Sequence, residues 1–123
     1  MKKHDQADCR SAHLFVQDTL YVVGGKWKLV ILSILINEGT QRFGELSRAS
    51  GISPRILSKE LQELEINQLV KRDVKKTKPI TVEYSATDYS YTLSTVIDAM
   101  IHWGENHRKL IQRNDKTRQQ SPA

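Results

Sequence analysis

The side chains best suited to chemistry in this chain are the bases between Ser53 and Lys78. Seven bases fall there, whereas the glutamates of the same segment lie in the C-terminal half of its helix. The seven are Arg55, Lys59, Lys71, Arg72, Lys75, Lys76 and Lys78. Arginine and lysine bind phosphate oxygens, and arginine also forms paired hydrogen bonds with guanine. The segment is therefore suited to a polyanionic partner, in a chain whose net charge is +5.

Two helices separated by a glycine turn are predicted to position the first of these bases. Phe43, Leu46 and Ala49 recur at helical spacing, and the glycine that follows interrupts the pattern. Ser53-Pro54 then supplies a capping hydroxyl and a proline at the first position of a new helix. This order is typical of a helix-turn-helix.

The second of these helices is predicted to bury one face and present the other. Leu57, Leu61 and Leu64 share the apolar face at positions i, i+4 and i+7. The opposite face would enter a DNA major groove, with Ile56 at its edge either in the core or against a thymine methyl group. The candidate recognition residues are Ser53, Arg55, Ile56, Ser58, Lys59 and Gln62. The alternative is an ordinary solvated helix face.

A β-hairpin is predicted after Leu69, where the hydrophobic period changes to two. Val70 and Val74 alternate with charged residues, and residues 82–86 repeat the alternation, which leaves 75–79 as the tip. Residues 41–43 are predicted to add a short third strand. The candidate wing and flank contacts to DNA are Arg42, Arg72, Lys75, Lys76 and Lys78. The alternative is the solubilising charge that an exposed hairpin tip carries.

Three further helices are predicted, over 11–23, from Trp27 to about residue 36, and over 91–112. The middle helix is expected to bury one face with Lys26 and Lys28 outside it, and that face comprises Trp27, Val30, Ile31, Ile34 and Leu35. The last helix carries apolar residues on more than one side, which predicts burial against a second subunit. The candidate dimer-interface residues are Phe15, Val96, Met100, Trp103 and His107. An effector pocket among the aromatic residues is the alternative use of these side chains.

Several function classes are disfavoured by the sequence. No nucleophile–base pair, carboxylate dyad or set of metal ligands is apparent, so we expect neither an enzyme nor a bound metal or cofactor. The longest apolar runs are too short for a membrane span, and the N-terminus has no signal-peptide pattern, which predicts a cytoplasmic protein without a membrane partner. Cys9 is the single cysteine, so an intrachain disulfide is excluded.

Six short motifs, in this order and spacing, resemble the HxlR family of bacterial winged helix-turn-helix transcriptional regulators, which is MarR-like. They are Gly24-Gly25-Lys26-Trp27-Lys28, Arg42-Phe43-Gly44-Glu45-Leu46, Gly51-Ile52-Ser53, Leu61-Gln62-Glu63-Leu64-Glu65, Leu69-Val70-Lys71-Arg72 and Val82-Glu83-Tyr84-Ser85. The match covers roughly residues 9 to 104. The chain departs from the pattern at Ser50, Ile80 and Ser90, and at Gln68, where a helix-ending glycine is usual.

The resemblance implies a homodimer whose first and last helices form the interface, with the recognition helix and the wing on double-stranded DNA. It also implies a cysteine sensor near the N-terminus, where Cys9 stands as a candidate redox switch, although Arg10 replaces a proline common in the family. The predicted fold is mostly α with a small β-hairpin wing: a polar tail over 1–10, a winged helix-turn-helix domain over 11–113 and a disordered tail over 114–123.

The predicted function is sequence-specific regulation of transcription by a homodimer on a palindromic operator. Its half-sites would lie about one helical turn, ~34–36 Å, apart. Thiol oxidation or a small effector is expected to modulate binding. The alternative is a winged-helix module that binds another protein rather than specific DNA.

Overall fold

The computed structural model describes the backbone of residues 6–120 and the side chains of residues 10–116. It contains five α-helices, three strands and a short 3-10 helix within that range. These are α1 (Gln6–Val23), α2 (Lys28–Glu38), β1 (Gln41–Arg42), α3 (Phe43–Ser50), α4 (Pro54–Ile66), β2 (Val70–Lys75), β3 (Thr81–Ala86), the 3-10 helix (Tyr89–Leu93) and α5 (Ser94–Gln120). The chain divides into two compact units, of which the first ends at Tyr91 and the second consists chiefly of α5.

The core of the first unit is built from leucine and isoleucine side chains of α2, α3 and α4. Leu57, Leu61 and Leu64 of α4 are buried, which confirms the face predicted for this helix. Burying a side chain of this size stabilises the fold by about 1.5–3 kcal/mol each. The apolar face of α4 is therefore packed against the core, and its polar face is exposed.

The buried face of α2 differs from the predicted one. The structure buries Lys28, Ile31, Leu32 and Leu35, whereas Val30 is 40% exposed. These buried positions recur at i, i+3, i+4 and i+7, so they form one stripe displaced from the predicted stripe. The prediction was right for Ile31 and Leu35 and wrong for Val30 and Lys28, because residues 29–32 and 34–36 are almost continuously apolar, and such a segment does not define its own inner face.

Serine hydroxyls hold the turn between α3 and α4. Gly51 ends α3 at φ 73°, in the left-handed region that favours glycine. The Ser50 hydroxyl donates to the Leu46 carbonyl at 2.6 Å and accepts from the Ile52 amide at 3.1 Å. Ser47 donates to the Ile52 carbonyl at 2.8 Å. Ser50, one of the departures from the family pattern, therefore helps to fix the angle at which α4 begins.

The end of α4 forms a Schellman motif. The Leu69 amide donates to the Leu64 carbonyl at 2.9 Å, and the Gln68 amide donates to the Glu65 carbonyl at 3.0 Å. Gln68 has φ 63° and is the non-glycine residue with positive φ among those described. This motif turns the chain from α4 directly into β2.

The three strands form one antiparallel sheet in the order β1-β3-β2. Gln41 pairs with Tyr84, which confirms the predicted short third strand, and Val70 pairs with Ala86 at the start of the hairpin. At the tip, the Thr77 hydroxyl donates to the Pro79 carbonyl at 2.7 Å. The predicted hairpin and its lysine-rich tip are therefore confirmed.

The outer helices are longer than predicted. α1 begins at Gln6 rather than Ser11, and α5 continues to Gln120 through part of the segment predicted as a disordered tail. Neither extension contains glycine or proline, so nothing in their sequence ends the helix. Among the described residues no single helix is long and apolar enough to span a membrane. Residues 10–23 and α2 meet that length and composition only together, as a pair bent by 75°.

Candidate nucleic-acid interface

The N-terminal half of α4 presents the predicted recognition residues to solvent. Ser53 caps the helix by accepting from the Ile56 amide at 3.5 Å, and a proline occupies the next position. The exposed side chains are Ser53, Arg55, Ile56, Ser58, Lys59 and Gln62. Among the described side chains, no carboxylate forms an ion pair with Arg55 or Lys59. Both cations are therefore available to a phosphate or a base edge.

A groove separates α4 from the sheet. It has a volume of about 290 Å³ and is lined by Ser58, Leu61, Gln62, Glu65, Arg72 and Tyr84. Arg72 and Tyr84 are cross-strand partners, so their side chains share the face of the sheet that borders α4. The sequence grouped Arg72 with the hairpin tip, but the structure brings it beside Gln62 and Ser58. Arg72 is thus placed to act with the recognition helix.

The three-stranded sheet carries acidic as well as basic side chains. Across the sheet, Arg42 pairs with Glu83 and Glu83 with Asp73, so a base and two acids lie in one row. Lys75 donates to Asp73 at 3.0 Å. This hydrogen bond, with the charge attraction that accompanies it, lowers the pKa of the Asp73 carboxyl and raises the pKa of the Lys75 ammonium. Lys75 is therefore partly neutralised within the wing.

The tip carries the free positive charge of the hairpin. Lys76 and Lys78 are exposed, and neither forms an ion pair with any described side chain. The Arg42 side chain is also exposed. Its backbone amide donates a hydrogen bond to the Glu45 carboxylate at 2.9 Å, at the start of α3. Of the five predicted wing and flank bases, Lys76 and Lys78 are the two that lie in the loop between β2 and β3.

Sequence analysis missed the role of Lys28, the first residue of α2. Its side chain is 11% exposed, and its ammonium donates to Glu60 at 2.6 Å and to Glu63 at 2.5 Å. Burial opposes the charged form, but hydrogen bonding and attraction to both carboxylates outweigh it and raise the pKa of Lys28. The same ion pair lowers the pKa of Glu63. The i, i+3 spacing of the two glutamates was the signal in the sequence that could have suggested a shared partner.

The comparison with known proteins agrees with this arrangement. Residues 22–112 match the family model described as HxlR-like helix-turn-helix. The chain belongs to this family. It is a winged helix-turn-helix transcriptional regulator, so the fold and family predicted from the motifs are confirmed.

Proteins similar to this HxlR-like regulator include a regulator from Bacillus subtilis and a redox regulator of known structure. The helix-turn-helix-type transcriptional regulator YdzF of Bacillus subtilis is 42% identical over 97 residues, which cover 78% of this chain and 89% of YdzF. The redox regulator HypR in its reduced form is 38% identical with a TM-score of 0.72, covering 80% of this chain and 97% of that one. HypR in its oxidised form is 40% identical with a TM-score of 0.69, covering 74% and 94%.

The predicted dimer residues of the HxlR-like regulator lie on exposed apolar faces. In α1, Phe15 is 63% exposed, and in α5, Met100 is 51% and Trp103 67% exposed. Val96 is also exposed, and the His107 ring stacks on Trp103 with centroids 4.8 Å apart. Helices of a water-facing domain rarely expose so many large apolar side chains without a partner.

Two further predictions concern the thiol and metals. Cys9 lies in α1, but its side chain is outside the described residues, so its surroundings in the HxlR-like regulator stay a prediction. Within the part of the chain that the structure describes, no group of three histidine, cysteine or acidic residues is placed to hold a metal ion.

Proposed function

We propose that this HxlR-like regulator binds operator DNA as a homodimer, with the N-terminal half of α4 in the major groove. The observation that carries the proposal is the exposed cationic face of α4 beside the groove that holds Arg72. Arg55 is the residue best placed for bidentate contact with a guanine, and Ser53, Ser58 and Lys59 for phosphates or bases. Lys76 and Lys78 at the hairpin tip would neutralise phosphates along the adjacent minor groove.

The homodimer accounts for the exposed apolar faces of α1 and α5. A second copy of the chain presents the same faces, so a two-fold interface can cover them symmetrically. The two α4 helices related by that axis would contact half-sites about 34–36 Å apart on a palindromic operator. Sedimentation of the purified protein tests this step, and a monomer at micromolar concentration would contradict it.

We further propose that Cys9 adjusts DNA binding by oxidation, with a small effector as the other candidate signal. Support comes from the likeness to HypR, a redox regulator with structures in both redox forms. Two Cys9 thiols from the two subunits would form a disulfide and release two electrons and two protons to an oxidant such as diamide. DNA affinity should then change on oxidation in the natural protein and not in Cys9→Ser. An equal response of the two proteins would contradict the switch.

Arg55 provides the direct test of DNA recognition. Binding is measured to fragments of the DNA upstream of the gene and to shuffled DNA, across a salt series. Arg55→Ala should lower specific affinity by about 1–3 kcal/mol, that of one bidentate base contact. Arg55→Lys is the matched control, because it keeps the charge and the salt dependence but loses the paired hydrogen bonds. If the natural protein binds all sequences alike, or binds no DNA in a salt-dependent way, a protein-interaction role replaces this proposal.

A further inference from the structure

The ion-paired cluster of Lys28, Glu60 and Glu63 connects α2 to the recognition helix. Lys28 lies 32 and 35 residues from its two partners in the sequence, so the contact is tertiary. The Glu60 side chain is 16% exposed and that of Glu63 is 41% exposed. A buried lysine held by two carboxylates is costly to desolvate, so the cluster need not add to the free energy of unfolding. Such clusters can instead select one conformation of the elements that they join.

The cluster adds a directional restraint to the apolar packing of α4. The buried leucine side chains fix the distance of α4 from the core and already oppose large rotations of the helix, because core side chains interdigitate. Glu60 and Glu63 lie one turn apart on α4, and both must reach the same ammonium. Rotation of α4 would lengthen one of these hydrogen bonds, because the Lys28 side chain is only 11% exposed and its ammonium is not free to follow both carboxylates.

Such a rotation matters at the DNA-facing side of the same helix. A side chain about 6 Å from the helix axis moves about 2 Å when the helix turns by 20°. A displacement of this size breaks a bidentate hydrogen bond to a base, whereas a flexible lysine follows a phosphate through it. Sequence-specific contacts therefore depend on the rotation of α4 more than non-specific contacts do.

We propose that Lys28 is a positioning residue for DNA recognition, which sets the rotation of α4 through Glu60 and Glu63 and thereby aims Arg55 and Lys59. The inference rests on the proposed function, because it assumes that α4 reads the operator. It assigns Lys28 no contact with DNA.

Charge offers a competing explanation that the variants must separate. Lys28 offsets one of the two carboxylate charges on a helix proposed to approach phosphates, so Lys28→Met changes the net charge of the cluster from −1 to −2. The triple variant Lys28→Met/Glu60→Gln/Glu63→Gln removes the cluster and brings its net charge to zero. Lys28→Arg keeps the cation and can still bind both carboxylates. Lys109→Met/Glu105→Gln is the matched control, because it removes an exposed pair at 3.2 Å within α5.

The measured quantity is the ratio of operator affinity to shuffled-DNA affinity, below the unfolding temperature of every variant. The triple variant should lose at least tenfold in this ratio, while its affinity for shuffled DNA should be unchanged or slightly higher, because one net negative charge is removed. Lys28→Arg should recover most of the loss, and the α5 control should match the natural protein. Protection of α4 amides from hydrogen exchange supplies a second readout, and it should fall in the triple variant.

Three results would overturn the proposal. An unchanged ratio in the triple variant would mean that the cluster is structural only. Equal loss of affinity for both DNAs in Lys28→Met, with full recovery in the triple variant, would mean that charge alone is responsible. A natural protein without sequence selectivity would overturn the proposed function and this inference together. The first two results, obtained with a natural protein that binds selectively, would overturn this inference only.

Discussion

Replacing Gln68 with glycine should stabilise the protein. Gln68 follows α4 with φ 63°, in a conformation that costs a residue with a side chain roughly 1–2 kcal/mol. Glycine has no such cost, but its unfolded chain is more flexible, which offsets roughly 0.5–1 kcal/mol. The net gain in the free energy of unfolding should be about 0.5–1 kcal/mol.

The substitution should leave the surrounding hydrogen bonds intact. The hydrogen bonds that involve Gln68 or the Leu69 amide use backbone atoms of these two residues: Gln68 N to Glu65 O, Leu69 N to Leu64 O, and Thr87 Oγ1 to Gln68 O at 2.7 Å. The stability change therefore reports the backbone conformation rather than a lost contact.

Urea unfolding followed by circular dichroism measures the effect. The midpoint should rise with the slope m unchanged, and both proteins must be compared at the same concentration because the proposed dimer would couple stability to concentration. Gln112→Gly is the matched control, because an exposed glutamine inside α5 should lose stability, by up to about 1 kcal/mol, on the same change. If Gln68→Gly is destabilised as much as the control, the left-handed conformation at Gln68 carries no removable cost.

Three further predictions concern charge. Lys76→Gln/Lys78→Gln should make the slope of log affinity against log salt shallower by about 1.8, because each lost phosphate contact contributes about 0.9; an unchanged slope would remove the tip from the interface. Asp73→Asn frees Lys75 and should tighten binding to all DNA sequences alike, measured with operator and shuffled fragments; weaker binding would contradict this. The pKa of Glu63 is lowered, so its contribution to stability is present above about pH 4.5 and is lost as pH falls through its folded-state pKa. Urea unfolding between pH 6 and pH 3 should therefore show less acid destabilisation in Glu63→Gln than in the natural protein.

The helix-turn-helix and the hairpin could be predicted because their signals are local. Ser53-Pro54 marks the start of a helix by capping chemistry, and the leucines of α4 define one face by spacing alone. The alternation from Val70 onward likewise predicts a strand, which the structure has over Val70–Lys75, although burial does not alternate along it and Val74 is 43% exposed. These elements need no information from distant parts of the chain.

The parts that sequence analysis missed depend on tertiary contacts. The buried face of α2 is selected by its neighbours, since its apolar residues surround the helix, and Lys28 is buried only because Glu60 and Glu63 meet it from α4. The position of Arg72 beside α4 likewise depends on how the sheet packs. Charged residues are normally assigned to the surface, so a buried lysine is predictable only when its partners are known.

The distribution of charge along α4 bears on which end of the helix would approach DNA in the proposed complex. The N-terminal end carries the positive end of the helix dipole together with exposed Arg55 and Lys59. Of the three glutamates in the C-terminal half, two bind Lys28 on the side facing α2, and Glu65 remains at the groove. Phosphates are therefore attracted to the first turns of α4 and repelled by its last turn. This polarity favours entry of the N-terminal end of α4 into the major groove, the orientation in which Arg55 reaches the base edges.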